Sequence, residues 1–421
     1  MTVQTISLGC RLNFAEAETI GRSVPDSENW TIVNSCAVTN EAVRQTRQAI
    51  RRAHRDRPDA KILVTGCAAE LDPAAFAEID GVTRVVGNRD KLHPRLWDQK
   101  GAHPEPVEGR AFAAANGDTL RQAQGERGEV TDVMAPVASG LQSHIKAYVA
   151  VQAGCDHRCT FCSIWQARGE SRSYPFEAVR DAIAREIDRG AREIVLTGVD
   201  ITDVEGGLGT LCQRLLAAEP RLQRLRLSSL DSIEIDEALF ELIAGEPRLM
   251  PHFHLSLQAG DDMVLKRMKR RHSRAQAVAT VDRIKSARAD STIGADLIAG
   301  FPTETEEMAV NSLKLIDDCD IVSAHIFPFS PRPNTPAGRM PQVVRAIVKA
   351  RAARLRERAA ERRTRWLDSL IGTALPVLIE GHGLGHSGNF APVAIAGASR
   401  GDSGSARIIA RAGGQLTALW A

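Results

Sequence analysis

Cys155, Cys159 and Cys162, in the run GCDHRCTFC, are three soft ligands spaced C-x3-C-x2-C on what reads as a loop after a strand. Three thiolates can hold three irons of a 4Fe–4S cube and leave the fourth iron open. An open iron suits the reductive cleavage of S-adenosylmethionine, because it can chelate the amino and carboxylate groups while one electron passes to the sulfonium. Homolysis then gives a 5′-deoxyadenosyl radical able to abstract an unactivated hydrogen. A zinc knuckle is the alternative, but it needs a fourth ligand, and His157 between the cysteines would serve only in strained geometry.

Cys10, Cys36 and Cys67 form a second set, dispersed where the first is compact. VQTISLGC, WTIVNSC and AKILVTGC each read as a strand that ends on a cysteine. Parallel sheets place their sites beyond the carboxyl ends of the strands, so these three residues would converge on one edge. Each alone could be a buried core thiol. Three at successive strand ends point instead to a second cluster, whose open iron could take an exogenous sulfur. Cys212 and Cys319 fall inside the helical patterns LGTLCQRLL and LKLIDDCDI and read as packing residues.

The elements that must position these thiols follow from pattern. Over 1–97, short apolar runs alternate with amphipathic ones such as EAVRQTRQAIRRAHRD, which predicts an α/β domain with a doubly wound parallel sheet. Over 98–140, Gly, Pro, Gln and charge dominate, as in an exposed linker or insertion. Over 141–338, six strand-like runs (KAYVAVQAGC, EIVLTGVD, RLRLSSL, FHLSLQAG, GADLIAGF and SAHIFPFS) alternate with helical stretches. Six units predict a partial (β/α)6 barrel, where a full one would want eight. Thr303 and Glu306 have capping-box spacing ahead of the helix that carries Leu313 and Ile316. A basic helical connector over 339–371 precedes Gly- and Val-rich short runs over 372–421, which predict a small β-barrel of a kind that often binds nucleic acid.

Charge alone does not announce a partner, since 54 basic residues against 52 acidic ones leave a net charge of only +2. Two basic runs do: Lys266 to Arg274, and Arg339 to Arg365. Either suits phosphate binding, or a solvated helix face. Lys269, Arg270 and Arg271 are the stronger candidates because they border the expected mouth of the barrel. His252, His254 and His325 read as core residues beside strands. With 43% hydrophobic residues, no stretch long enough to cross a bilayer, and an opening MTVQTISLGC that lacks a secretory plan, a cytoplasmic protein with no membrane partner is expected.

The chain also resembles a known family. LGCRLNFAEAE, VNSCAVTNEAVRQTRQAIRR and VTGCAAEL resemble the amino-terminal domain of the radical S-adenosylmethionine methylthiotransferases. SSLDSIEIDEAL, HFHLSLQAGDDMVLKRMKRRHSR, ADLIAGFPTETEE and HIFPFSPRPNTPAGRMPQV resemble their radical core, and the last segment resembles the small RNA-binding TRAM domain. Arg11-Leu12-Asn13 resembles the MtaB branch, which acts on N6-threonylcarbamoyladenosine beside the anticodon.

The resemblance implies one 4Fe–4S cluster on Cys155, Cys159 and Cys162 and an auxiliary one on Cys10, Cys36 and Cys67, with two molecules of S-adenosylmethionine. One would yield the radical that removes the hydrogen at C2 of the adenine ring. The other would supply a methyl group to sulfur. It also implies that Phe161 lies near the adenine of the cofactor, that Thr197 and Gly198 approach its methionine end, and that the strand carrying Asp296 and Gly300 runs beside the adenine. The expected partners are the tRNA anticodon loop, an electron donor and a sulfur source. Isopentenyladenosine in tRNA and an aspartate of a ribosomal protein stay open as substrates. Trp165-Gln166, where the family often has Pro-Tyr, keeps open a non-catalytic iron–sulfur RNA-binding protein.

Overall fold

The computed structural model describes residues 3–24, 29–93, 138–139, 145–332 and 334–421. The expected linker over 98–140, apart from its residues 138–139, lies outside the described residues, as do its two boundaries.

The amino-terminal region carries β1 (Gln4–Ser7), α1 (Arg11–Ser23), β2 (Trp30–Ser35), α2 (Asn40–Asp56), β3 (Lys61–Gly66), α3 (Cys67–Leu71), α4 (Pro73–Ala77) and β4 (Val82–Val85). The four strands are parallel, in the order β1-β2-β3-β4. β2 is buried at every position and β3 at all but its first, as expected of strands covered on both faces. The sheet is not doubly wound, however. Winding in two directions requires the strand order to reverse, and here it steps one way only. Packing crosses between the regions: Ala167 joins the apolar core of this sheet, and Leu12 and Ala15 of α1 pack into the core of the central domain.

The central domain holds β5 (Ala138–Ser139), β6 (Lys146–Ala150), β7 (Gln152–Ala153), α5 (Ile164–Arg168), β8 (Arg172–Ser173), α6 (Phe176–Asp188), β9 (Glu193–Thr197), α7 (Leu208–Ala218), β10 (Leu225–Leu227), β11 (Ser229–Leu230), α8 (Glu237–Gly245), β12 (His252–Gln258), α9 (Asp262–Met268), α10 (Arg274–Ala287), β13 (Thr292–Ala299), α11 (Glu306–Asp318) and β14 (Ile321–Pro328). Two four-stranded sheets form, β10-β9-β6-β5 and β11-β12-β13-β14, parallel except for β5 against β6, and β7 pairs antiparallel with β8 in a small sheet of their own. Only Ser228 separates β10 from β11. α11 is capped by Thr305, which accepts from the Met308 amide, and not by Thr303, whose φ of +65° takes it out of cap geometry. The full capping box sits instead at Ser273 and Gln276, ahead of α10.

α12 (Arg345–Ser369) leads to a closed barrel of β15 (Ala374–Gly381), β16 (Leu384–Ser387), β17 (Pro392–Ala394), β18 (Ser403–Ala412) and β19 (Gln415–Trp420). The barrel is fastened to the core by Arg226, which donates to Gly388 O and Ser387 O at 2.9 Å each, and by Lys146, 2.8 Å from Glu380. The basic face of α12 is largely consumed internally. Arg351 pairs with Glu304, Arg354 with Glu306, Arg358 with Asp317 and Arg362 with Asp320. Arg356 and Arg363 donate to the carbonyls of Ile326 and Val322 on β14. α12 is therefore a clamp across α11 and β14 more than an open cationic surface. No helix among the described residues is long and apolar enough to cross a membrane.

Candidate active site

Three of the six clustered cysteines follow a glycine in a conformation other residues resist. Gly9, Gly66 and Gly154 have φ of +93°, +93° and +80°, and each immediately precedes a cysteine. A Cβ on Gly9 would lie 2.4 Å from Cys36 Sγ, so the first cysteine loop is folded directly onto the second. A Cβ on Gly154 would lie 1.8 Å from the Glu170 carbonyl oxygen. Glycine is required at these turns for space as well as for φ.

Cys10 caps the start of α1, Cys36 follows β2, and Cys67 opens α3 after β3. The parallel sheet brings all three to its carboxyl edge. Burial pushes the Cys36 thiol up to about 11, with Cys10 and Cys67 adding to the rise and Arg332 opposing it. Cys10 is exposed as a residue, yet protein crowds its thiol enough that burial is the main upward influence there too.

Behind this trio lies a buried polar assembly. Asn13 Nδ2 donates to the carbonyls of Leu8 and Ser35 at 2.8 Å, joining the first two cysteine loops. Arg168, the last residue of α5, donates from Nε to Cys67 Sγ at 3.2 Å, from Nη2 to Asn13 Oδ1 at 2.7 Å and from Nη1 to Glu16 Oε1 at 2.8 Å. Lys91 Nζ lies 2.5 Å from Glu16 Oε2 and donates to Asn88 Oδ1 at 2.7 Å. Burial alone would raise the Glu16 carboxyl, but the two cations outweigh it and hold the group at about 2.

The central trio lies on the loop between β7 and α5. Cys155 N donates to Gly169 O at 3.1 Å, and Thr160 is tied to the end of α9 through Met268 O and Arg267 O. Burial pushes Cys155 up to about 12 and Cys162 up to about 11. Cys67 contributes to the rise at Cys162, and Arg332 feels both Cys36 and Cys162, so the two trios share one electrostatic neighbourhood.

Among the described residues, the triplets of potential ligand atoms lying within 4.8 Å of one another are Cys155-His157-Asp200, His254-Asp296-His325 and His157-Asp231-Glu234. Neither cysteine trio is so tightly drawn. A single tetrahedral zinc, with metal–sulfur bonds of about 2.3 Å, would require that tightness. A cube that spreads its ligands over several irons would not. Three thiols in each trio are the donor chemistry of an iron–sulfur cube, and Cys155 also belongs to the tight group with His157 and Asp200.

Phe161 packs against an apolar cluster that includes Met268, Ile298 and Phe301, as do Phe327 and Phe329. Asp296 and Ile298 lie on one face of β13 and His325 and Phe327 on the matching face of β14, and Ile298 belongs to the apolar cluster against which Phe161 and Phe327 pack. His254 Nε2 and His325 Nδ1 meet Asp296 Oδ1 at 2.9 and 3.1 Å and hold its carboxyl below the usual carboxylate range against the effect of burial. These histidines are thus not simple core residues, and the register of three adjacent strands is what gathers them. Thr197 ends β9 and Gly198 follows it, and the Val199 and Asp200 amides beyond donate to Gln152 Oε1 at 3.1 and 2.9 Å. Gln152 Nε2 in turn reaches Gly154 O at 2.9 Å, linking this turn to Cys155. Gly300, with φ +72°, is pressed against Val348 of α12.

The three basic candidates part company. Lys269 is exposed at the left-handed end of α9. Arg271 is exposed and pairs with Glu234. Arg270 turns inward: its side chain is 7% exposed, donates to Asp231 Oδ2 at 2.8 Å and Ser256 O at 2.9 Å, and approaches Cys159 Sγ at 3.8 Å. Its guanidinium is spent on Asp231 and Ser256 beside the cysteine loop and faces inward. Trp165 receives Arg158 over its ring at 4.5 Å, and Gln166 reaches Asn334 O at 3.3 Å.

Residues 149–316 match the Radical SAM superfamily and residues 2–87 match the Uncharacterized protein family UPF0004. The chain is 40% identical over 398 residues to the threonylcarbamoyladenosine tRNA methylthiotransferase MtaB of Rickettsia prowazekii, covering 92% of this chain and 90% of that protein. The chain belongs to the radical S-adenosylmethionine methylthiotransferase family. A relative named MtaB in Thermotoga maritima is 32% identical over 90% of this chain and 86% of its own length. The tRNA-2-methylthio-N(6)-dimethylallyladenosine synthase of Maricaulis maris is 32% identical over 88% of this chain and 82% of its own. Among solved structures, the radical S-adenosylmethionine methyltransferase TsrM of Kitasatospora setae superposes with a TM-score of 0.56 at 17% identity, over 77% of this chain and 65% of that one, which speaks to the fold alone. As a methylthiotransferase the chain is an enzyme, and the non-catalytic alternative is set aside.

Proposed function

We propose that this enzyme converts N6-threonylcarbamoyladenosine at position 37 of the tRNA anticodon loop to its 2-methylthio derivative, with two 4Fe–4S clusters and two molecules of S-adenosylmethionine. The observation that carries the reading is the meeting of the two trios: Arg168, six residues after Cys162, hydrogen-bonds Cys67. The clusters, when bound, would supply the electron that cleaves S-adenosylmethionine at the central trio and a seat for sulfur at the amino-terminal one.

The chain's own residues do the rest. Phe161 and its apolar neighbours keep water from the chamber in which a radical must survive. Gln152 fixes the Thr197–Asp200 turn against the cysteine loop, and His254 and His325 fix the Asp296 carboxylate. We read the parallel strands β6, β9, β10 with β11, β12, β13 and β14 as a partial six-stranded barrel, open toward a substrate as large as RNA. The terminal barrel is read as a TRAM-like surface, with Lys269 and Arg271 near the mouth. Reductant and sulfur source come from outside the chain.

The relatives named MtaB favour threonylcarbamoyladenosine over isopentenyladenosine, and Arg11-Leu12-Asn13 agrees. The test is mass spectrometry of nucleosides from a bacterial host lacking its own methylthiolation of threonylcarbamoyladenosine, with and without this chain. Appearance of the 2-methylthio nucleoside is expected. Its absence, with soluble and iron-loaded protein, would overturn the substrate assignment and direct attention to the other two.

A further inference from the structure

Arg168 belongs to the radical domain but spends its hydrogen bonds on the amino-terminal trio. Its guanidinium grips Glu16 with both terminal nitrogens, Nη1 to Oε1 at 2.8 Å and Nη2 to Oε2 at 3.0 Å. That end-on grip turns the Nε edge toward Cys67 Sγ at 3.2 Å. The side chain is 5% exposed, so neither the charge nor the N–H···S bond is diluted by solvent. An ordinary interdomain ion pair would need only one cation for Glu16. Here Lys91, 1% exposed, sits on the same carboxylate, so two positive charges against one negative leave a surplus of +1 beside the sulfurs. A thiolate-bound cube is anionic, and hydrogen bonds and charges around its sulfurs are the protein's means of setting its potential.

We infer that Arg168 is a positioning and tuning residue for the auxiliary cluster, supplied from the radical domain. The inference rests on the reading that Cys10, Cys36 and Cys67 hold a cluster. Its Nε–H bond to Cys67 Sγ stabilises the reduced, more negative cluster and raises its reduction potential. Because α5 begins two residues after Cys162, the same side chain fixes the spacing of the two trios.

The experiment isolates one cluster. The full chain with Cys155, Cys159 and Cys162 replaced by alanine is reconstituted anaerobically and titrated potentiometrically with detection by electron paramagnetic resonance. Arg168→Lys keeps the charge and loses the directed N–H. The triple variant Arg168→Gln, Glu16→Gln and Lys91→Gln removes every charge of the buried assembly, so none is stranded. Both are expected to retain the parent's circular dichroism and to show a lower midpoint potential with shifted g values, or to lose iron. Unchanged potential and spectrum in folded, iron-loaded variants would reduce Arg168 to a structural tie and overturn the inference. A parent that binds no iron would sink the two-cluster reading, and this inference with it. A measurement on the unsubstituted side chain guards against misfolding. With 15N-labelled arginine, pulsed resonance of the reduced parent cluster should detect a guanidinium nitrogen coupled to it, and no such coupling would equally overturn the proposal.

Discussion

The two cysteine trios are gathered by opposite means. The central one is local: three thiols within eight residues, on a loop pinned by Gly169, Met268 and Arg267. The amino-terminal one is assembled across 57 positions by three parallel strands, then held from behind by Asn13, Glu16, Lys91 and Arg168. A local site survives damage to distant packing. A dispersed site is only as exact as the sheet and the polar assembly that gather it, and so the second trio is the more breakable of the two.

Removing the proposed ligands gives the largest contrast. Alanine at Cys155, Cys159 and Cys162 should abolish formation of 5′-deoxyadenosine, measured by chromatography after anaerobic reconstitution. Alanine at Cys10, Cys36 and Cys67 should leave that cleavage intact and abolish the methylthio product. Loss of cleavage in both triple variants would break the division of labour between the sites.

Removing the support comes next. Glu16→Ala strands Arg168 and Lys91 in the interior, and breaking a buried pair in this way costs about 3–5 kcal/mol. Thermal melting should register that loss, with iron lost from the amino-terminal trio before the central one. The pH dependence has a definite sign. Glu16 falls from the usual 4.5 to about 2 in the folded chain, so its stabilisation is present above 4.5 and drains away as pH falls toward 2. It amounts to about 3 kcal/mol at neutral pH. Glu16→Gln should flatten the stability profile in that window, and an unaltered profile would mean that other carboxylates govern acid unfolding.

The glycines sharpen the contrast at single-residue scale. Gly154→Ala would drive a Cβ into the Glu170 carbonyl, a backbone atom that cannot rotate away. Gly9→Ala would meet a side chain, but that side chain is the proposed ligand Cys36. Each imposes a left-handed conformation on alanine, roughly 1–3 kcal/mol. Iron analysis should show Gly9→Ala losing metal from the amino-terminal trio alone and Gly154→Ala from the central one.

What could be read from sequence divides along the same line of range. The C-x3-C-x2-C run carries its meaning in eight residues, and three strands ending on cysteine predicted a shared edge that the parallel sheet provides. The partners of that edge left no such trace. Arg168 and Glu16 are 152 residues apart, and nothing periodic connects them. Gln152, His254 and His325 escaped for a related reason, since a polar residue in a strand acquires a role only from the register of its neighbours. The doubly wound topology failed because alternating strands and helices predict parallel pairing without fixing strand order. Thr303 failed by two residues, within the usual uncertainty of a helix start.

Basic residues give the smallest expected effect and repeat the lesson at the surface. Lys269 and Arg358 both lie in runs that suit phosphate binding, but Arg358 spends its guanidinium on Asp317 and Glu361, while Lys269 stands exposed beyond α9. Phosphate contacts release counterions, so losing one lowers the slope of log affinity against log salt by about 1. Lys269→Ala should show that change in tRNA binding titrated across salt concentrations. Arg358→Ala should leave the slope as it was, because an arginine already paired with carboxylates neutralises no phosphate and so releases no counterion from the RNA. Equal slopes for the two variants would mean that α12 opens its ion pairs to the RNA.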